Sequence, residues 1–307
     1  ARRNKMQCGR TQKDGDDMQI GFAPASSKEG LKALWRTVFG DPEAYIDLFL
    51  EHRFRPEQTL CVFEGGRPVS MLFLLPLEMA SGGRSYPAQY VYGVATGPAY
   101  RGKGLSSGLM ERAQEVLIER GGALSVLVPA QPPLFSFYRK RGYETEFSIS
   151  RISYRADPAF PGALPELRET SLAELEPLRN RAFSASRLFG RWDREALRYQ
   201  DRESAFFGGC ALAFETEEGE GYALCVTAGE RVLVKELVLP AANPPEGWEA
   251  AAAPLFEAVL RRAGAKELSA ALWEGESAVP FAMTRWNPKT KKILTGEAKP
   301  YFSLVLD

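Results

Sequence analysis

One stretch constrains the chain most. In YGVATGPAYRGKGLSSGLMERAQEVL, Tyr92 to Leu117, a strand-like run enters a turn of glycines and cations, and a helix-like run leaves it. Leu105, Leu109, Val116 and Leu117 recur at helical spacing on one face, with Glu111, Glu115 and Glu119 on the other. Gly121-Gly122 then stops the run. A strand that feeds a helix in this way buries its apolar side in a sheet with helices packed on it, which predicts an α/β fold.

The turn itself predicts an anion site. The first amides of a helix have no intrahelical partner, and the helix dipole is positive at that end. Gly102 and Gly104 let the backbone approach a phosphate closely, while Arg101 and Lys103 add charge. Neither G-x-x-x-x-G-K-[ST] nor G-x-G-x-x-G is present, so a nucleoside triphosphate or dinucleotide is not the leading ligand.

Around this turn the pattern predicts the order β α α β β β α β α β over residues 18–155. Asp41 and Pro42 suit the start of the second helix. Gly65-Gly66 suits a hairpin. A Pro- and Ala-rich stretch, residues 156–166, reads as a linker. Residues 167–307 then repeat the element order but not the residues. There FFGGCALAFET, GYALCVTA, RVLVKELVLP, ELSAALW and the final YFSLVLD read as strands, and WEAAAAPLFEAVLRRAG reads as a helix.

The 307 residues suffice for about two domains. Net charge is zero, which argues against a dedicated nucleic-acid binder. Cys8, Cys61, Cys210 and Cys225 are scattered, and His52 is the single histidine, so no metal site is expected and a reducing, cytoplasmic setting is. No uninterrupted apolar run reaches the roughly 18 residues of a membrane span, and no membrane partner is expected. Residues 1–17 are polar and read as a disordered leader.

The motif VATGPAYRGKGLSSGLM resembles the pyrophosphate-binding pattern of the GNAT N-acetyltransferases, [QR]-x-x-G-x-[GA] after a strand. Arg101 and Gly104 fill the main positions, and Ser106 stands where Gly or Ala is usual. Downstream, FYRKRGY carries Tyr138 where family members often place a tyrosine. The resemblance covers about residues 18–155. It implies acetyl-CoA as cosubstrate, with the backbone of Val94, Ala95 and Thr96 beside the pantetheine arm. The amides from Arg101 through Gly102, Lys103, Gly104 and Leu105 to Ser106 would hold the pyrophosphate. Tyr138 would sit beside the sulfur as acid, and an amine of a small molecule or peptide would attack directly. It also implies a mixed, mostly antiparallel twisted sheet with helices on both faces. For the base, Glu78, Tyr90, Tyr92 and Glu51 stand open, as does a water chain; His52 reads as a surface residue.

By element order VYGVAT corresponds to VKELVL, and the turn after it, PAANPPEGWEA, has lost RGKG. FYRKRGY corresponds to FAMTRWN, with Ala282 at the tyrosine position. Two GNAT-like domains in tandem, the second without a donor site, resemble the first two domains of the Eis-type acetyltransferases. The third, sterol-carrier-like domain of that family is not expected within these 307 residues. Its carboxylate base and aminoglycoside substrate are therefore not carried over, and Asp307 is assigned no role. The second half is expected to wall the acceptor cleft. Glu217, Glu218 and Glu220 form an acidic loop that either draws a cationic amine or is a solvated hairpin tip. WNPKTKK reads as an exposed loop. Two alternatives to N-acetyl transfer stand beside it: another acyl transfer on this frame, and a catalytically idle CoA-binding sensor or scaffold. The oligomeric state has no signature in the sequence.

Overall fold

A computed structural model describes residues 18–240, 248–272, 278–295 and 298–306. The first half runs β1 (Gln19–Phe22), α1 (Lys28–Phe39), α2 (Glu43–His52), β2 (Thr59–Glu64), β3 (Arg67–Ser81) and β4 (Arg84–Thr96). It continues with α3 (Leu105–Glu119), β5 (Leu124–Leu127), α4 (Pro132–Arg139) and β6 (Glu144–Arg155). The second half runs β7 (Arg168–Thr170), α5 (Glu176–Ala182), β8 (Phe189–Arg191), α6 (Arg194–Phe206), β9 (Cys210–Thr216) and β10 (Gly219–Ala228). It closes with β11 (Arg231–Val238), α7 (Trp248–Ala263), β12 (Glu267–Leu272) and β13 (Val279–Trp286). No helix among the described residues is long and apolar enough to cross a membrane.

The fold is α/β, and its sheet is mixed and mostly antiparallel. Among the described strands, only β4–β5 and β11–β12 pair in parallel within the sheet order. The order is β1-β2-β3-β4-β5-β13-β6-β12-β11-β10-β9-β7, with β8 on β3. The helical stripe read on α3 is the face that packs inward: Leu109, Val116 and Leu117 are buried. Trp35 of α1 meets Phe49 of α2 at 4.8 Å and Phe73 of β3 at 5.7 Å, so α1 and α2 lie on one sheet face.

β13 comes from the second half yet lies in the first half's sheet. It pairs with β5 through Met283↔Leu127 to Trp286↔Leu124, and with β6 through Val279↔Ile149 to Thr284↔Glu144. β6 in turn carries the sheet onward, pairing with β12 through Ser150↔Leu272 to Arg155↔Glu267. We keep 156–166 as the proposed boundary along the chain; in space the sheet passes across it.

Several expectations are corrected. FAMTRWN is no counterpart of the α4 segment: it is strand β13, because β5 and β6 each leave a row of backbone groups that needs a paired neighbour. YFSLVL is buried but forms no strand beyond the bridge at Tyr301, since Leu304 has φ 57°, which breaks an extended run. Asp41 does not cap α2; its carboxylate accepts from the Trp35 indole at 2.7 Å. Phe206 ends α6 rather than opening β9. Trp286 and Asn287 are anchored rather than loose, with Asn287 Nδ2 donating to Gly122 O at 2.9 Å. The leader, Cys8, most of the PAANPPEGWEA turn and Asp307 lie outside the described residues.

Candidate active site

The site begins where two parallel strands part. β4 and β5 pair at Ala88↔Leu124, Gln89↔Ser125 and Tyr90↔Val126, and no further. β4 runs on to Thr96, while β5 ends at Leu127 and the chain turns away into α4. Buried Gln89 fixes the middle shared rung. Its Nε2 donates to Ala113 O of α3 and to Ser125 Oγ of β5, each at 2.9 Å. Beyond it the edge of β4 opens into a V.

Inside the V, β4 carries a bulge. Its register on β3 shifts between Met71 and Phe73, so that Gly93 and Val94 share one partner position. Gly93 has φ +60°, and a Cβ there would lie 2.9 Å from Phe73 Cδ2. Gly93→Ala should therefore cost about 1–3 kcal/mol of stability. Urea denaturation tests this; an unshifted midpoint would show that the bulge does not depend on glycine.

The V leads to a cavity of 320 Å³. β4 lines one side with Tyr90, Tyr92 and Val94; the β5 exit and α4 line the other with Val128, Leu134 and Tyr138. Trp35 and Asp41 close it from the helical layer, and Leu306 closes it from the second half. Tyr90 stacks on Tyr92 at 5.9 Å and meets Trp192 at 5.7 Å and Phe302 at 5.8 Å, both from the second half.

At the end of β4 stands the basic turn. Ser70 Oγ holds the strand end, donating to Ala95 O at 2.8 Å and lying 2.8 Å from Thr96 Oγ1. Gly102 and Gly104 have φ near +79° and +78°, and nothing lies within 4 Å of where a Cβ would be. Gly104 is the N-cap of α3, and the first helical bond is Gly108 N to Gly104 O at 3.0 Å. The amides of Leu105, Ser106 and Ser107 precede that bond and have no intrahelical acceptor. Arg101 Nε donates to Thr96 O at 3.3 Å, and Lys103 Nζ sits 5.2 Å from the Tyr100 ring. Both side chains are otherwise exposed.

Tyr138 is buried in α4, where its ring meets Phe137 at 5.1 Å and Tyr143 at 6.0 Å. Burial pushes its phenol up to about 12, against the smaller opposite pull of Arg141. The side chain is thus a hydrogen-bond donor throughout the neutral range.

Of the open base candidates, Tyr90 and Tyr92 line the cavity; Glu51 and Glu78 do not, and neither does His52, read as a surface residue. Glu78 pairs with Arg191 at 2.7 Å, and Glu51 faces solvent on α2. Glu217 and Glu218 form the turn between β9 and β10 and line no part of this cavity, so the acidic run is a hairpin tip. Sequence reasoning missed Arg141, whose Nη1 donates to Phe137 O at 2.5 Å and whose Nη2 donates to Ser107 Oγ beside the α3 terminus. It also missed α6, although Asp193 marks its start by accepting from Ala196 N at 2.7 Å.

Residues 20–145 match the model of the acetyltransferase (GNAT) domain, and this span holds the V, the basic turn and Tyr138. They form a GNAT acetyltransferase domain. An uncharacterized N-acetyltransferase of Streptomyces avermitilis is 30% identical over 110 residues, a stretch that is 35% of this chain and 26% of that protein. The match thus spans about a quarter of that relative's length. Among solved structures, a probable N-acyltransferase from Enterococcus faecalis superposes with a TM-score of 0.68 at 18% identity, over 88% of this chain and 72% of that one. A GCN5-related N-acetyltransferase from Kribbella flavida gives 0.66 at 21%, over 88% and 71%. Eis1 from Mycobacterium abscessus gives 0.60 at 14%, over 87% and 73%. These superpositions extend well past residues 20–145 and show that 87–88% of this chain shares the fold of these structures.

The second half has its own parting of parallel strands, where β11 and β12 cease to pair after Val234↔Ala270. Glu236, just beyond, is fully buried and accepts from Tyr222 Oη at 2.6 Å, from Tyr301 Oη at 2.9 Å and from Arg179 Nε at 3.1 Å.

Proposed function

We propose that this chain is an N-acetyltransferase that moves an acetyl group from acetyl-CoA to an amine of a small molecule or peptide by direct attack. The observation that carries the reading is the V between β4 and β5, with the α3 terminus at the end of β4 and Tyr138 across the cavity.

The residues present fit the donor. The amides at the start of α3 are suited to a pyrophosphate, and the glycine turn leaves open space above Gly102 and Gly104 for it. The backbone of β4 from Val94 to Thr96 would meet the pantetheine amides as an added strand does. Acetyl-CoA supplies a thioester carbonyl activated toward an amine. Tyr138 would donate a hydrogen bond to the sulfur, and that bond strengthens as charge develops there. Full proton transfer is not required, because a buried phenol near 12 is a weaker acid than a thiol. Val128, Leu134 and Leu306 exclude water from the reacting region.

The test is release of free thiol from acetyl-CoA in the presence of spermidine, tobramycin and a lysine-containing peptide. Release with at least one of them is expected. Tight acetyl-CoA binding with no release on any amine would favour an idle CoA-binding protein.

A further inference from the structure

One wall of the cavity comes from outside residues 20–145. Among the described lining residues only Leu306 does, and it is buried. It lies on a strap, residues 298–306, that is tied first to the second half. Backbone bonds run from Arg187 N to Ala298 O at 2.9 Å, from Tyr301 N to Leu188 O at 2.8 Å and from Gly190 N to Tyr301 O at 3.2 Å. Trp192 Nε1 donates to Ser303 O at 3.0 Å. Glu236 holds the strap by its side chains. Tyr301 Oη donates to Glu236 Oε1 at 2.9 Å, and Ser303 Oγ donates to the same oxygen. Arg179 and Tyr222 also donate to this carboxylate, and Arg179 Nη2 donates to Ser303 Oγ at 3.2 Å. Phe302 packs toward the first half, with Tyr90 at 5.8 Å and Phe147 at 5.4 Å. Leu304 then takes a left-handed backbone, φ 57°, although it is a buried leucine. Such a backbone persists only where the surroundings fix it. Two residues on, Leu306 reaches the cavity wall.

We propose that Leu306 is a specificity-determining residue that bounds the bulk of the acceptor, and that Glu236 is the positioning residue that sets it there. Leu306 shares the cavity with Val94, Val128, Ala130 and Leu134, so the space it bounds is apolar. The acceptor so selected carries a compact apolar group next to its amine. Leu306 belongs to no part of the proposed donor site, so its size sets the acceptor without disturbing acetyl-CoA. The buried carboxylate at the second parting of strands thus shapes the cavity at the first. This inference rests on the cavity being the acceptor pocket of the proposed reaction.

Leu306→Ala removes an isopropyl group, and 4-isopropylbenzylamine adds one to benzylamine. Calorimetry with the two amines in the presence of CoA compares them without any turnover. Wild type is expected to favour benzylamine. Leu306→Ala should raise the affinity for 4-isopropylbenzylamine relative to benzylamine by about tenfold, as the added carbons fill the space that the leucine vacates. Leu306→Phe should weaken benzylamine about tenfold. Tyr301→Phe with Ser303→Ala removes the strap's donors to Glu236 and keeps the Arg179–Glu236 pair. It should move the ratio in the same direction as Leu306→Ala. Adding Leu306→Ala to it should then gain less than that substitution gains alone. A merely destabilised protein loses both amines alike and leaves the ratio in place. An unchanged ratio in Leu306→Ala, or no binding of either amine by any of these proteins, would overturn the inference. An unchanged ratio in the Tyr301 and Ser303 variant, or full additivity, would remove Glu236 from it. Binding as expected without thiol release on any amine would strike the acetyltransferase reading and leave the role of Leu306 standing.

Discussion

Gly104→Glu will abolish acetyl-CoA binding. The new side chain has room, since nothing lies within 4 Å of the Gly104 Cβ position. It places a carboxylate at the N-terminus of α3, among the amides of Leu105 to Ser107. Against a pyrophosphate at about 4 Å, one added negative charge costs about 4 kcal/mol at an effective dielectric of 20. That is about a thousandfold in affinity. The left-handed backbone at Gly104, φ +78°, adds about 1–2 kcal/mol of strain for any side chain. Gly104→Ala carries the same strain without the charge, and should bind within about tenfold of wild type. Calorimetric titration of acetyl-CoA into the three proteins separates the terms. Normal binding by Gly104→Glu would remove the pyrophosphate from this turn.

Tyr138→Phe should lower turnover about a hundredfold and leave acetyl-CoA affinity nearly unchanged. The ring stays, so the contacts with Phe137 and Tyr143 stay, and the loss falls on the hydroxyl. Burial holds the phenol near 12, so it keeps its hydrogen across the working range. For a group that acts protonated, activity is lost only as pH rises through its own raised value. The rate should therefore climb with pH as the amine loses its proton, with no fall traceable to Tyr138 up to about pH 10. Wild-type turnover by the phenylalanine variant, or a descending limb near pH 9 that it abolishes, would displace Tyr138 as the donor.

The proposed donor side can be read from the sequence because its residues are local. Arg101 to Ser106 are consecutive, and the glycines of that run answer to turn geometry that any sequence displays. Tyr138 sits a short helix away from β5, again within reach of a linear pattern. The rest of the cavity is lined by Trp35, Asp41, Tyr92 and Leu306, which no spacing connects. Asp41 looked like a cap because capping is the local use of Asp, and the Trp35 indole took the carboxylate instead. FAMTRWN looked like a copy of α4 because element order was the only guide. Which strand edges lie vacant is a tertiary fact, and it placed that segment between β5 and β6.

That placement has a consequence for how the protein is made. The half that carries the proposed donor site is synthesised first and completed last. Until residues 279–286 emerge, β5 and β6 have an empty slot between them, with two unpaired edges inviting a wrong partner. A piece cut after Arg155 keeps every residue that the donor motif names, yet lacks a central rung of its own sheet. The second half is thus no detachable appendage: it lends the first half a strand.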